Sequence, residues 1–322
     1  MKRNRTYAAA MVMVWSLVSI GSASDTVSVL SVNVRNSLAD DKENAWLKRR
    51  DFLADVVRAV PYDFIGMQEV IVDSPEEVNQ LGFLAQKLPE YAFLSRGRGE
   101  NPDQGEAVPI FYRKDRWEID PEEQGFFWLS DTPDVPGSNT WKDQSGHARS
   151  VTWALFYERN EKSGKRTGKS LYVFNTHYDH KGETARIKAS VLLMRKIAER
   201  KSKAIPTVLT GDFNADEGSK PIRCLLGNTV EIDGKFIKPP LALRDSYRLV
   251  HPHETDVFTT HGFREPKPVG MKIDHVFVTP ELEAISAEVV KTRNRQGRFP
   301  TDHFPINAVL RFPEPARTIP AN

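Results

Sequence analysis

The sequence predicts an α+β fold in which two packed, mostly antiparallel sheets are flanked by helices. Apolar runs of strand length outnumber the segments with helical spacing. The strand-like runs at 151–157 and 171–175 follow each other with only a charged loop between them, which makes antiparallel neighbours. That order fits two stacked sheets better than a doubly wound parallel one. The 322 residues are 39% hydrophobic and 27% charged. This globular balance excludes a disordered, collagen-like or multi-span membrane protein.

Taken in order, Lys2, Arg3 and Arg5 precede an apolar run at 8–20 broken only by Ser16 and Ser19. Gly21, Ser22, Ala23 and Ser24 follow. This is the pattern of a cleaved secretory signal peptide over 1–24. The run is short for a spanning helix, which needs about 20 apolar residues. The protein is therefore expected to be secreted or periplasmic, with no stable membrane insertion after cleavage. An uncleaved N-terminal anchor is the alternative. The formal charge of +2 also lies in this segment: without its three cations, 42 basic side chains face 43 acidic ones, a net of −1. Domains that coat nucleic acid are strongly basic, so no stable nucleic-acid complex is expected. Cys224 is the single cysteine, which excludes an intramolecular disulfide and a zinc site with several cysteine ligands.

One domain is expected over 25–315, with a loose tail at 316–322. Residues 27–34 read as the first strand. Leu53, Val56, Val57 and Val60 fall at helical spacing, giving a helix over about 46–60 that Pro61 stops. Residues 64–68 form the next strand. Val78, Leu81, Ala85 and Leu88 mark a second helix closed by Pro89. Strands follow at 110–112, 151–157 and 171–175, the last two joined by a hairpin loop at 158–169. Ile187, Val191, Met194 and Ala198 mark a third helix. A buried strand at 207–210 and strands at 273–278 and 304–312 complete the set.

Polar residues recur at the ends of these strands: Asn33, Glu69, His177, Asp179, Asp212, Asn214, Asp274, Asp302 and His303. Any one of them alone reads as a strand-end cap or surface group. Several clusters, most placed just after an apolar strand, read as a site assembled at a sheet edge. Carboxylate and amide oxygens suit a hard cation such as Mg2+ or Mn2+. Such an ion offsets phosphoryl charge, a carboxylate can orient or deprotonate the attacking water, and a carboxylate-held histidine can stabilise the transition state.

These residues carry a resemblance. Asn33, Gln68-Glu69, Thr176-His177-Tyr178-Asp179, Gly211-Asp212-Phe213-Asn214-Ala215, Ile273-Asp274 and Thr301-Asp302-His303-Phe304-Pro305 resemble, in order, the motifs of the endonuclease/exonuclease/phosphatase superfamily. These are the deoxyribonuclease I-like metal-dependent phosphohydrolases. The resemblance implies a four-layer α/β sandwich with the site at one edge of the two sheets. It implies that Glu69 is the main metal ligand, with Asn33 and Asp302 near the same ion. Asp212 would align or deprotonate the water, and Asn214 would hold the phosphate or the transition state. His303, oriented by Asp274, would face the phosphoryl oxygen, and His177 would be the second histidine. Glu106 is the expected carboxylate partner of His177, and Arg149 the phosphate-facing arginine; a surface ion pair is the alternative for each.

Within the superfamily the chain is similar to secreted bacterial hydrolases of unassigned substrate. Phe111 to Arg116, Phe127-Trp128-Leu129-Ser130 with Thr132-Pro133, and Thr260-His261-Gly262-Phe263 carry that likeness. It departs at Ala107, where an aromatic residue is common. The leading expectation is a metal-dependent phosphoesterase acting on a small phosphodiester. A secreted nuclease is one alternative, for which Lys291, Arg293, Arg295 and Arg298 would clamp further phosphates unless they form a solvated loop. A sphingomyelinase-like phospholipase C is another, for which Trp117, Phe126, Phe127 and Trp128 would form a membrane hairpin unless they pack in the core. A binding module with a retired site is disfavoured because every catalytic residue type is present. His275 reads as a half-buried strand histidine, with a further site residue as the alternative.

Overall fold

The computed structural model describes residues 25–72, 75–264 and 270–313. The expected leader and the tail at 316–322 lie outside the described residues. In chain order the strands are β1 (Thr26–Asn33), β2 (Phe64–Gln68), β3 (Val70–Ile71), β4 (Tyr91–Leu94), β5 (Glu106–Ala107), β6 (Ile110–Arg113), β7 (Trp117–Trp128) and β8 (Ser150–Arg159). They continue with β9 (Arg166–His177), β10 (Thr207–Asp212), β11 (Val230–Ile232), β12 (Lys235–Ile237), β13 (Arg244–Asp245), β14 (Asp274–Val278), β15 (Glu283–Val289) and β16 (Ile306–Arg311). The α-helices are α1 (Trp46–Arg58), α2 (Gln80–Lys87), α3 (Glu183–Glu199), α4 (Lys220–Leu225) and α5 (Ser246–Val250).

Two six-stranded sheets form, in the orders β15-β16-β1-β2-β6-β4 and β13-β14-β10-β9-β8-β7. Each has one parallel pair near its middle, β1 with β2 and β9 with β10, and antiparallel neighbours elsewhere. The central strands of the two sheets face each other. Alternation along them sorts the side chains, because successive residues of a strand point to opposite faces. Val27, Val29, Phe64, Val173, Val208 and Val276 pack between the sheets. Leu30, Val32, Ile65 and Met67 pack outward against α1 and α2. Tyr172, Phe174 and Leu209 pack outward against α3 and α4. The result is the expected sandwich of helices, sheet, sheet and helices.

The same alternation carries polar residues into the inter-sheet layer toward the strand ends. Asn175 Nδ2 donates to Met67 O (2.7 Å) and Pro109 O (2.9 Å), while its Oδ1 accepts from Gln68 Nε2 (2.7 Å) and Thr210 Oγ1 (3.0 Å). This satisfied buried amide joins the sheets just behind the site. Gly66 lets them approach: a Cβ there would lie 2.0 Å from Thr210 Oγ1 and 2.8 Å from Asn175 Oδ1. Gly66→Ala is expected to destabilise the fold by about 1–3 kcal/mol through overpacking. A urea midpoint equal to wild type would show that the sheets do not meet this closely.

The structure departs from the sequence reading where polar residues mask strands. The expected loop at 158–169 is shorter, because β8 and β9 remain paired out to Arg159 and Arg166. Strand β7 went unpredicted. Glu118, Asp120, Glu122, Glu123 and Pro121 interrupt its pattern, and its register shifts between Ile119 and Gln124. It is an edge strand, where proline and charge are tolerated. Trp117, Phe127 and Trp128 are buried and Phe126 is half-buried, so three of the four candidates for a membrane hairpin are core residues. Trp117 packs 4.8 Å from Phe64, and Trp128 donates from Nε1 to Arg98 O at 2.6 Å. Among the described residues, no helix is long and apolar enough to cross a membrane. Cys224 is buried, which pushes its thiol up to about 12.

Candidate active site

Asn33, Glu69, His177, Asp212 and Asp274 meet because registry aligns the ends of the central strands. Asn33 pairs with Gln68, Asp212 with His177, and Asp212 with Asp274. Glu69 follows β2 at φ 63° and Asn214 follows β10 at φ 46°. Such left-handed conformations cost about 1–3 kcal/mol for non-glycine residues and persist only where the surroundings enforce them. For Glu69 the enforcement is visible: Oε1 accepts from Asn33 Nδ2, and Oε2 accepts from Asn36 N and Asn36 Nδ2, all at 3.0 Å. Burial would raise this carboxyl, but His177 and the Asn33 and Asn36 hydrogen bonds outweigh it and hold it at about 2.

Asn33 Nδ2 also donates to Asp212 Oδ2 at 2.9 Å, so one amide bridges two carboxylates. Asn33 Oδ1 accepts from Arg35 N at 2.8 Å. As placed, the amide turns its nitrogen rather than its oxygen to the acidic cluster and ties the Glu69 and Asp212 carboxylates together. Burial, followed by the nearby Asp274 charge, raises the Asp212 carboxyl above its ordinary 3.8. Burial also raises Asp302; His303 opposes this and Glu69 adds to it. Asp302 Oδ2 lies 3.7 Å from Arg35 Nε.

His303 Nδ1 lies 2.9 Å from Asp274 Oδ2. Burial alone would lower its pKa, but Asp274, Asp302 and Asp212 raise it well above 6.5. On the other side, Asn214 Nδ2 donates to Tyr178 O (3.1 Å) and to His177 Nε2 (3.0 Å). On its other side, His177 Nδ1 faces Glu106 Oε1 at 3.3 Å. Arg149, also buried, stands 3.0 Å from His177 Nδ1 and 3.6 Å from Glu106. Both Glu106 and Arg149 are thus brought to the site rather than left in a surface ion pair.

Donor atoms of Glu69, His177 and Asp212 lie within 4.8 Å of one another, as do those of Asp212, Asp274 and His303. Glu69 and Asp212 bring oxygen donors of like charge within that distance, and Asp302 lines the same cleft, which fits a hard divalent cation. The ten expected site residues therefore gather at one edge of the sandwich. They form one end of a cleft of about 1000 Å³, whose lining includes Glu69, Glu106, Arg149, His177, Asp212, Asn214, Asp302 and His303.

Sequence reasoning missed several residues here. Asn36 fixes Glu69 through its backbone as well as its amide. Buried Arg49 donates to the carbonyls of Val34, Arg35, Asn44 and Pro300, tying the segments that carry Asn33 and Asp302. Burial lowers its pKa to about 10. Arg98, His147 and His180 line the cleft from loops. The one available signal was position: His180 directly follows Asp179, and Asn36 lies three residues past Asn33.

His275 is fully buried rather than half-buried, and it faces away from the site. Its Nδ1 lies 2.7 Å from Asp245 Oδ2, to which Lys272 Nζ donates at 2.6 Å. Of the basic strip, Lys291 and Arg293 lie over Phe258 and Phe299, and Arg298 donates to Glu43 O. None of the four lines the cleft.

A carboxylate, amide and imidazole site at the shared edge of two stacked sheets defines a hydrolase of phosphoric esters. Residues 30–303 match the model of the Endonuclease/Exonuclease/phosphatase family, and the chain belongs to that family. It is similar to the endonuclease/exonuclease/phosphatase of Bacteroides vulgatus, at 31% identity and TM-score 0.74 over 89% of this chain and 99% of that one. It is also similar to a mannosyl-6-phosphatase of Bacteroides thetaiotaomicron, at 30% identity and TM-score 0.70 over 89% of this chain and all of that one. An uncharacterised protein of Acanthamoeba polyphaga mimivirus is 25% identical over 173 residues, and the match spans 53% of this chain and 60% of that relative's length.

Proposed function

We propose that the protein is a divalent-metal-dependent phosphoesterase that cleaves a small phosphoester by in-line attack of water. One observation carries this reading. The acidic cluster, the two histidines and Asn214 converge at one end of a walled cleft of about 1000 Å³. Glu69 and Asp302 would hold the ion, with Asn33 fixing the Glu69 carboxylate. Bound Mg2+ or Mn2+ would supply positive charge to the phosphoryl oxygens and polarise the phosphorus. Asp212, held by Asn33 Nδ2 and Asn214 N, orients the attacking water and accepts its proton. His303, charged by its environment, donates to a phosphoryl oxygen as charge builds there. Asn214, His177 and Arg149 hold the ester from the opposite wall.

The sequence favoured a diester, and the likeness to a mannosyl-6-phosphatase brings monoesters into consideration. The residue pattern at 1–24 supports action outside the cytoplasm. The test is a panel of bis-p-nitrophenyl phosphate, p-nitrophenyl phosphate, sugar phosphates, sphingomyelin, DNA and RNA, each with Mg2+ or Mn2+ and with excess EDTA. Hydrolysis of small esters that EDTA abolishes supports the proposal; inactivity on all of them sinks it.

Salt separates this reading from a nuclease. Because the basic strip does not line the cleft, KM for the best small substrate is expected to change by less than about tenfold between about 50 and 200 mM salt. A protein with many phosphate contacts would lose about 10³–10⁵ in affinity over that range. A steep slope on DNA or RNA, reduced by Arg293→Ala or Arg295→Ala, would make the chain a nuclease.

A further inference from the structure

The part of the cleft away from the acidic cluster has a distinctive lining. Among the described residues that line it there is no phenylalanine, tyrosine or tryptophan. Proteins that read unpaired bases stack them on aromatic rings, so a nucleobase has no platform here. Apolar lining is confined to Leu38, Ile71 and Ala148, too little to hold an acyl chain. The cations are already engaged. Arg35 pairs with Asp41 and Arg98 with Glu106 (2.5 Å), while Arg149 lies against Glu106, His177 and His180. What remains is imidazole, amide and one carboxylate: His147, His180, Asn101, Gln104 and Glu100.

These groups stand on loops that are already fixed. Asp179 Oδ2 accepts from Ser145 N (2.9 Å) and Ser145 Oγ (2.5 Å), and its Oδ1 accepts from Lys181 N and Gly182 N (both 2.8 Å). One buried carboxylate thus ties the loop bearing His147 to the loop bearing His180. Across the cleft, Arg96 donates to the carbonyls of Gly97, Gly99 and Glu100 and holds the opposite loop in shape. Gly137, at φ 76°, packs against that loop: a Cβ there would lie 3.1 Å from Glu100 N. Arg149 Nη2 donates to His180 Nδ1 at 3.0 Å, which places the ring proton on Nε2. That Nε2 and both His147 nitrogens have no hydrogen-bond partner among the described residues. His147 and His180 are exposed to the cleft; partial desolvation, reinforced by Arg98 and Arg149, lowers His147 below 6.5, and partial desolvation and Arg149 do the same for His180. Both rings are then neutral near pH 7. Nε2 of His180 donates, while His147 presents one donor and one acceptor, which is what an alcohol needs.

We propose that His147 and His180 form a hydroxyl-recognising subsite beside the phosphoryl centre, so that the ester cleaved is the phosphate of a sugar or similar polyol. This rests on the phosphoesterase reading above and narrows its substrate class. The bond broken is the phosphorus to sugar-oxygen bond, with water supplying the new oxygen and the sugar leaving as a free alcohol.

The test compares hexose 6-phosphates with p-nitrophenyl phosphate, which has no hydroxyl group, in wild type, His147→Ala, His180→Ala and the double variant. Wild type should favour a hexose phosphate despite its poorer leaving group. The double variant should lower the ratio of kcat/KM on hexose phosphate to that on p-nitrophenyl phosphate by about 10–100-fold, as expected for two lost hydrogen bonds. A second readout needs no turnover: in EDTA, the rise in Tm with hexose 6-phosphate should exceed that with inorganic phosphate in wild type but not in the double variant. An unchanged ratio together with an unchanged Tm difference would overturn the subsite, and so would a nucleotide as the best substrate. Inactivity toward every ester would sink the phosphoesterase reading, while the Tm comparison would still decide the subsite.

Discussion

Glu69→Gln is expected to remove most hydrolytic activity, by about 10²–10⁴-fold, with the several kcal/mol that metal charge stabilisation supplies at stake. The substitution keeps the shape and removes the charge. It also misplaces a donor: both Glu69 oxygens accept hydrogen bonds, from Asn33 and from Asn36. The glutamine nitrogen must therefore face another N–H. The measurement is activity against Mg2+ and Mn2+ concentration, alongside wild type in excess EDTA. Full wild-type activity in EDTA, or a variant as active as wild type, would remove Glu69 from any metal role. Stability gives an independent check. The folded carboxyl is held at about 2 against an ordinary 4.5, so the folded state binds fewer protons between those values. The stabilisation is complete above about 4.5 and is lost as pH falls toward 2. In EDTA, Glu69→Gln should flatten the acid side of the stability profile in that window.

Five site residues were legible because chemistry and strand geometry coincide in them. Asn33, His177, Asp212 and Asp274 sit at strand ends on the inter-sheet face, and Glu69 follows β2 directly. There an apolar run gives way to polar residues in the sequence itself. Asp302 and His303 were legible from their motif, directly before the segment that ends in β16. Glu106 and Arg149 could be placed only by the resemblance, since neither has a local pattern. The cleft wall was hidden for a physical reason. Arg98, His147 and His180 lie in loops with no periodicity, and their role comes from Asp179 and Arg96 binding backbone groups. Composition alone could not sort Trp117, Phe127 and Trp128 between core and membrane. Burial of Trp117 against Phe64 settles it, and that contact joins residues 53 positions apart. Strand β7, which contains all three, carries Pro121 and four acids, and its pairing with β8 outweighs that local preference.

His303→Ala is expected to lower kcat by about 10²–10³-fold with little change in KM, the mark of a donor aimed at charge that develops only in the transition state. Asp274→Asn should cost less and should also change the pH profile. Asp274 at 2.9 Å is the largest of the influences that raise His303. The same charge, after burial, raises Asp212. In the proposed mechanism Asp212 acts ionised and His303 protonated, so activity should fall at low pH as Asp212 gains a proton and at high pH as His303 loses one. With Asp212 raised above 3.8 and His303 raised above 6.5, both limbs in wild type stand at higher pH than free side chains would give. Removing the Asp274 charge lowers both pKa values, so both limbs should move toward acid together. The measurement is kcat/KM from about pH 4 to 10, at a metal concentration that saturates each variant. A structural role for Asp274 would lower the whole profile without moving its limbs. If the alkaline limb of Asp274→Asn stays in place, His303 does not draw its charge from Asp274; if His303→Ala changes KM alone, the ring binds substrate and takes no part in the chemical step.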